Sequence, residues 1–543
     1  MDWYNSDGIL LYFMTLSHLK TGIMLISSTL NDHNYTVLTM FNRTLIISVF
    51  VVASCGLAYE LIIAALASYL LGDSILQFST IIGGYLFAMG IGAHLTRYIK
   101  DEDALTRFID IELLVGLIGG ICALLLFILF GLSSAPFRVI VYSLVFIIGT
   151  IVGMEIPLVM RVMNQYKTDF KELVSKVLTF DYMGALAVSL LFPLVLAPKL
   201  GMARSALLFG ILNTLVAIFS CYVFREKLPT YKKLMIKGNI VLVALLTAFF
   251  FANDLTERAE QHYFGDPIVY QYNSPYQRLV LTKYKDDTRL FINGNLQFSS
   301  MDEARYHEAL VLPAMENVPQ AEKVLILGGG DGLATREVLK YPDVKSITLV
   351  DLDPKMTELF KTSAQLTILN DNALNNEKVT IVNEDAAKWL ERQTEQYDVI
   401  IIDLPDPSNF SLGKLYSVPM YRLVKQHLTP NGVMVVQSTS PYFAPHAFGS
   451  INKTLQAANL QTLPYHAYVP SFGEWGYILA NRDGNFMIPE SYQVNTRYLD
   501  KETTAQMFKF PLDMPVRTDL EANHLNTQIL VKYFEQDWRK ATP

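Results

Sequence analysis

Cysteine is scarce in this chain of 543 residues, and so is charge. The three cysteines, Cys55, Cys122 and Cys221, all lie in apolar stretches, and the second half of the chain has none. That excludes a disulfide framework or a zinc ribbon there. Charged residues are 17% of the chain, against about 25% in ordinary soluble domains. The shortage is uneven. Residues 1–256 hold 17 Lys+Arg and 16 Asp+Glu, while residues 257–543 hold 27 and 35. The second half is therefore acidic, which argues against a nucleic-acid partner and agrees with a cationic substrate. A chain this long also exceeds one ordinary core.

Where charge is missing, long apolar runs take its place. Residues 1–39 mix apolar residues with Asp2, Asp7, His18, Lys20, Asp32 and His33. They read as an N-terminal extension, disordered or non-native, ahead of Met40. Residues 40–256 read as a helical membrane domain. Six apolar segments, near 44–70, 76–96, 111–132, 138–160, 178–197 and 203–224, each reach the roughly 20 residues a crossing needs. Gly83, Gly84, Gly90 and Gly92 suggest close helix packing. Glu60, Glu112, Glu155 and Asp181 lie in or beside these spans, as a polar site or as interhelical hydrogen bonds. The loops 97–110, 161–177 and 225–237 are rich in Lys and Arg, which places them in the cytoplasm by the positive-inside rule. A seventh run, Ile240–Ala252, is only 13 residues long, so an interfacial or re-entrant position is expected for it.

After residue 256 the pattern changes. Residues 257–320 read as a small antiparallel sheet, with Asn293-Gly294 as a hairpin turn. In residues 321–543 strands alternate with helices: Lys323–Leu327, Ser346–Val350, Val379–Val382, Val399–Ile402 and Val433–Gln437. This predicts a parallel, doubly wound, Rossmann-like sheet of the methyltransferase type.

The strand ends carry the chemistry. The first runs into Gly328-Gly329-Gly330-Asp331-Gly332, where glycines let backbone approach a ligand. This is not the dinucleotide fingerprint, because Leu333 stands where a third glycine belongs. The second ends in Asp351, suited to ribose hydroxyls, and the third in Glu384-Asp385, suited to an adenine amine. The fourth ends in Asp403-Leu404-Pro405-Asp406-Pro407, two carboxylates beside the nucleoside position, one to act as base and one to grip a cation. Asp331 would repel the carboxylate of S-adenosylmethionine but bind the ammonium of its decarboxylated form.

Together, Tyr306-His307-Glu308, Gly-Gly-Gly-Asp-Gly at 328–332 and Asp-x-x-Asp-Pro at 403–407 resemble the signature of the spermidine synthase (polyamine aminopropyltransferase) family, over about residues 262–480. The front half resembles the multi-pass extension of some bacterial members. The resemblance implies aminopropyl transfer from decarboxylated S-adenosylmethionine, as co-substrate, to an amine such as putrescine, with no prosthetic group and no metal. It implies Asp403 as catalytic base and Tyr306 as the residue that orients the attacking amine. The donor would be held by Gln277, Gly328, Gly330, Asp331 and Asp351, with Asp385 and Ala386 at the adenine. The acceptor would meet Gln297, His307, Asp331 and Asp406. A homo-oligomer, a lipid bilayer and a cytoplasmic catalytic domain complete the expectation.

The match breaks on the acceptor side. The family's loop glutamate after Asp406-Pro407 is absent, with Lys414 nearby, and the family's Pro-Thr-Tyr is Pro470-Ser471-Phe472. Glu474 is the local substitute for the missing acid, with Trp475 as a cation–π face. Two other readings stay open: a methyltransferase acting on a membrane-associated amine, and a non-catalytic polyamine sensor or transporter.

Overall fold

The computed structural model describes residues 44–68, 74–132, 137–165 and 170–541. The proposed extension 1–39 lies outside them. The chain divides into two compact units, with the boundary after Tyr263.

The first unit is all helix. Its elements are α1 (Thr44–Ser68), α2 (Ser74–Leu95), α3 (Ala104–Leu132), α4 (Phe137–Gly153), α5 (Glu155–Asn164), α6 (Phe170–Leu191), α7 (Ala197–Val223) and α8 (Tyr231–Phe264). Six continuous helical stretches among the described residues are long and apolar enough to cross a membrane. One of them, Lys171–Val223, has 53 residues, more than two crossings need. It bends at Gly201, whose φ is +74°, and it contains a π-helical turn at Phe192–Leu196 beside Pro193. Thus the expected segments 178–197 and 203–224 are two arms of one kinked helix.

Of the four glycines read as packing sites, Gly92 is in closest contact: a Cβ there would lie 1.9 Å from the Thr150 carbonyl oxygen. Gly83 and Gly90 face open space. Ile240–Ala252 departs from expectation. It is the middle of α8, a continuous helix of 34 residues. Its partners explain why. A side chain at Gly238 would run into Ile218 of α7, Leu245 packs on Gly120 of α3, and the Arg204 guanidinium lies over the Phe249 ring. These contacts run α8 antiparallel along α7, not across its end, and its stretch Tyr231–Thr256 is long and apolar enough to cross a membrane.

The second unit has two sheets. β1 (Ile268–Asn273), β2 (Arg278–Tyr284), β3 (Asp287–Ile292) and β4 (Asn295–Ser299) form an antiparallel sheet in chain order, with the turn at Asn293-Gly294. α9 (Glu303–Glu316), buried along most of its length, leads to the larger sheet. That sheet holds β5 (Lys323–Gly328), β6 (Ser346–Asp351), β7 (Val379–Asn383), β8 (Tyr397–Asp403), β9 (Leu428–Gln437), β10 (Gln461–Val469) and β11 (Gly473–Asn481), in the order β10-β11-β9-β8-β5-β6-β7. Strands β5 to β9 are parallel. The interior strands β5 and β8 read as near-continuous apolar runs because both sheet faces are covered. The sheet is not wholly parallel: β10 and β11 form a hairpin that joins β9 antiparallel.

The strand order reverses between β5 and β8. Their carboxyl ends lie side by side, with Gly328 paired to Asp403. Crevices at such reversals are where open α/β sheets bind ligands.

Candidate active site

The site forms around that reversal. Gly328 takes φ +85°, and a Cβ there would lie 2.0 Å from the Asp403 carbonyl oxygen. Only glycine lets β5 turn this close to β8. At Gly330 a Cβ would sit 2.6 Å from the Asp351 carboxylate. Instead the Gly330 amide donates to Asp351 Oδ2 at 3.1 Å, and the Asp353 amide to Oδ1 at 2.9 Å. Burial pushes the Asp351 carboxyl up to about 6 despite these amides. Ser274 donates to Asp353 at 2.7 Å, which brings the turn bearing Gln277 to the same strand end.

Asp385 caps the helix Ala386–Arg392, accepting from the amides of Ala387 and Lys388. Its other oxygen meets Lys414 Nζ at 3.0 Å. Burial works against its charge, but Lys414 and the two amides outweigh it and hold the carboxyl below its ordinary value. The lysine that departs from the family pattern thus pairs with an acid of the expected adenine position.

Asp403 is the centre of the arrangement. The Tyr306 hydroxyl donates to its Oδ1 at 2.7 Å. Burial, with the nearby charge of Asp331, pushes the Asp403 carboxyl up to about 6, while His307 and Tyr306 pull it down. Asp331 is 7% exposed and accepts from the Leu333 amide at 2.9 Å. Burial raises its pKa as well. His307 Nδ1 lies 3.0 Å from Glu303 Oε2. Burial disfavours the imidazolium, yet the Glu303 carboxylate raises the pKa of His307 above its ordinary value.

Glu303 was not foreseen, nor was its partner Arg336. The guanidinium grips both Glu303 oxygens, at 3.1 and 2.8 Å, with both side chains almost fully buried. This fork ties α9 to the helix that follows the glycine turn, and so sets Tyr306 against Asp403. The i,i+4 spacing of Glu303 and His307 was the available signal.

Asp406 sits on a second small network. Gln437 Nε2 donates to its Oδ1 at 3.3 Å, and Thr439 Oγ1 to its Oδ2 at 3.1 Å. Burial pushes this carboxyl up to about 6 too. The Trp475 indole donates to Gln437 Oε1 at 3.2 Å, and Phe472 packs between Trp475 and Tyr306. Gln437 ends β9, so it was open to the same strand-end reasoning that found the acids.

Two expected acceptor residues are not drawn in. The Gln297 amide donates to carbonyls of its own strand, Asn295 and Leu296. Glu474 meets His466 Nδ1 at 2.8 Å. Side chains alternate along β11. Trp475 and Tyr477 pack on the core face that includes Tyr306, whereas Ile478 packs on the other. Glu474 shares the parity of Ile478, so its carboxylate is directed away from Asp403 and Asp406, contrary to expectation.

Comparisons with known proteins bear on the family. A family model described as the spermine/spermidine synthase domain matches residues 303–491. Polyamine aminopropyltransferase 2 of Ralstonia nicotianae is 58% identical over 502 residues, covering 92% of this chain and 98% of that protein. The chain belongs to the spermidine synthase (polyamine aminopropyltransferase) family. It is an aminopropyltransferase. The polyamine aminopropyltransferase of Leptospira interrogans is 44% identical, covering 91% of this chain and 99% of that protein. A crystal structure of a spermidine synthase in complex with the transition-state analogue AdoDATO matches at 25% identity, with a TM-score of 0.42, over 45% of this chain and 85% of that one.

Proposed function

We propose that the chain transfers the aminopropyl group of decarboxylated S-adenosylmethionine to putrescine, giving spermidine and methylthioadenosine. The observation that carries this reading is the part-buried Tyr306–Asp403 pair at the strand reversal, with Asp331 close enough for its charge to act on Asp403. The Gly328–Gly330 backbone, Asp351, Gln277 and the Asp385–Ala386 helix start would hold the nucleoside. Asp331 would take the donor's ammonium and, with His307, face the reacting groups. The amine nitrogen attacks the methylene carbon next to the sulfonium. A C–N bond forms, the C–S bond breaks, and sulfur keeps the electron pair. An alkyl ammonium has a pKa near 10.4, so the nucleophile must lose a proton, which Asp403 accepts. Tyr306 orients the nitrogen, and Asp406 holds acceptor charge through the Gln437–Thr439 network.

Purified protein, given decarboxylated donor and a panel of amines, tests this by mass spectrometry. Spermidine and methylthioadenosine in equal amounts are expected from putrescine. A methylated amine formed from ordinary S-adenosylmethionine would favour a methyltransferase instead.

The first unit would anchor the chain in the cell membrane by several passes. We place the catalytic unit in the cytoplasm, where the nucleoside donor of this family is made. With α8 running along α7, this puts the three basic loops outside, against the usual bias. The donor requirement is chemical and the charge bias statistical, so the donor decides. A cysteine at Asn485 should resist a membrane-impermeant reagent in intact cells; labelling there would place the catalytic unit outside.

A further inference from the structure

The matched domain ends at residue 491, and the described chain runs on to residue 541. This tail packs back onto the catalytic unit through buried polar anchors. Its last helix, Ile529–Ala541, lies against the helix Pro445–Ala457. There the buried Asp537 accepts from the His446 amide at 2.8 Å and from its ring Nδ1 at 2.7 Å. A second anchor, Asn523, is fully buried. Its side-chain nitrogen donates to the carbonyls of Gly413, at 2.8 Å, and Tyr416, at 3.1 Å. Those residues lie 110 and 107 positions earlier in the chain. An asparagine amide has two N–H groups, so both are spent on one loop. The Asn523 carbonyl accepts from the Val418 amide at 3.0 Å, and its amide donates to Thr454 Oγ1 at 2.8 Å. Packing is close at the same place. A Cβ at Gly413 would lie 2.6 Å from both Gln528 Oε1 and Val531 Cγ2.

The loop held by Asn523 reaches the acids of the site. The Tyr416 hydroxyl, fully buried, donates to the carbonyls of Leu404 and Pro405 at 3.0 and 3.1 Å. These are the two residues between Asp403 and Asp406. The same hydroxyl accepts from Gln437 Nε2 at 2.9 Å. Lys414, on the same loop, meets Asp385. The turn needs outside donors, because Pro405 and Pro407 have no amide N–H. Tyr416 supplies one only if its own backbone is fixed. Its loop is a four-residue helix, Phe410–Gly413, and a single turn, Lys414–Tyr416. Pieces this short are not stable alone. The tail supplies what they lack.

We propose that Asn523 is a positioning residue for aminopropyl transfer. It fixes the Gly413 and Tyr416 carbonyls, and through the Tyr416 hydroxyl it sets the relative placement of the Asp403 and Asp406 carboxylates. Through Lys414 the same loop steadies Asp385. The proposal rests on the reading of Asp403 as base and Asp406 as the acid that holds acceptor charge. A base must meet its proton within hydrogen-bond reach, so a turn that drifts loses rate while the fold survives.

The test is a double-mutant cycle on the full-length protein, read as methylthioadenosine released from decarboxylated S-adenosylmethionine and putrescine. Asn523→Ala and Tyr416→Phe should each lower kcat about 10–10²-fold, as misplacement of a reacting group does. The double variant should be no slower than the slower single, because both act through one hydroxyl. Asp537→Asn loosens the same tail at His446. It should lower the melting temperature by as much as Asn523→Ala does and keep wild-type kcat. Losses that multiply in the double variant, or a kcat that falls with melting temperature in Asp537→Asn, would overturn the proposal. If Asn523→Ala does not fold, Gly413→Ala pushes the loop off Gln528 and Val531 from the other side. It should give the same loss, not multiplied by Tyr416→Phe; wild-type kcat in Gly413→Ala would overturn the proposal. Asp403→Asn, assayed alongside, reports separately on the base. Normal turnover there with a coupled cycle would remove the base role and leave the positioning in place.

Discussion

The two units bury acids in opposite ways. In the catalytic unit the site acids, buried or part-buried, each have a partner from the protein: Glu303 has Arg336, Asp403 has Tyr306, Asp351 has two amides, and Asp406 has Gln437 and Thr439. In the helical unit Glu112 has none for its carboxyl, and Glu155 is only part-satisfied. An unpaired charge in a dry interior is costly. The difference teaches what each set does. The catalytic acids are held in place before substrate arrives, which favours a fixed reaction geometry. The helical-unit acids have no comparable fixing partners.

The largest expected effect tests the partnered set. Asp403→Asn should cut turnover by about 10²–10⁴-fold, the usual worth of a general base. Binding of methylthioadenosine, measured by calorimetry, should hardly change. Near-normal turnover would remove Asp403 from the base role.

Next comes a direct contrast between the units. Glu303→Gln leaves Glu337 as the one carboxylate on the buried Arg336 guanidinium and removes the carboxylate from His307 and Arg497; it should cost about 3–5 kcal/mol in the denaturation of the catalytic unit. Glu112→Gln removes no ion pair and should leave the melting temperature within a few degrees of wild type. Equal losses would erase the distinction drawn between the two sets.

A pH series sharpens it further. Asp403 and Asp406 are each pushed up to about 6, against about 3.9 for an unperturbed Asp. The folded unit therefore holds these protons more tightly than the unfolded chain. Their contribution to stability is complete below about pH 4 and is lost as pH rises through about 6. Catalysis runs the other way, since the base must be ionised. kcat/KM should fall as pH drops below about 6. A profile flat to pH 5 would contradict a base with this carboxyl.

The smallest effect is at Lys414. Its pair with Asp385 is partly exposed, so Lys414→Ala should cost less than about 1 kcal/mol. It should raise the KM for the donor a few-fold and leave that for the amine alone. A change confined to the amine would put Lys414 back in the acceptor path.

Much of this was legible in the sequence where local signals decide. The five parallel strands were read within a few residues of their observed ends, except for the earlier start of β9, because buried strands in such sheets are apolar runs ended by glycine or acid. The strand-end acids followed from the topology. Three features were not legible. The β10–β11 hairpin joins the sheet through non-local pairing. The Glu303–Arg336 fork joins residues 33 apart in sequence. The side of β11 on which Glu474 lies depends on the register of that hairpin, which motif alignment does not supply. The full length of α8 was not legible for a related reason: the apolar run Ile240–Ala252 is short, and contacts at Gly238, Leu245 and Phe249 with other helices accompany the longer helix.

The most direct test of the central claim is the donor preference of the wild-type protein. Binding of decarboxylated and ordinary S-adenosylmethionine should be compared by calorimetry, with Asp331→Asn alongside. The buried Asp331 carboxylate should favour the decarboxylated form by at least about tenfold, or 1.4 kcal/mol, and Asp331→Asn should shrink that ratio. Equal affinity for the two donors, with Asp331→Asn unchanged, would contradict the account.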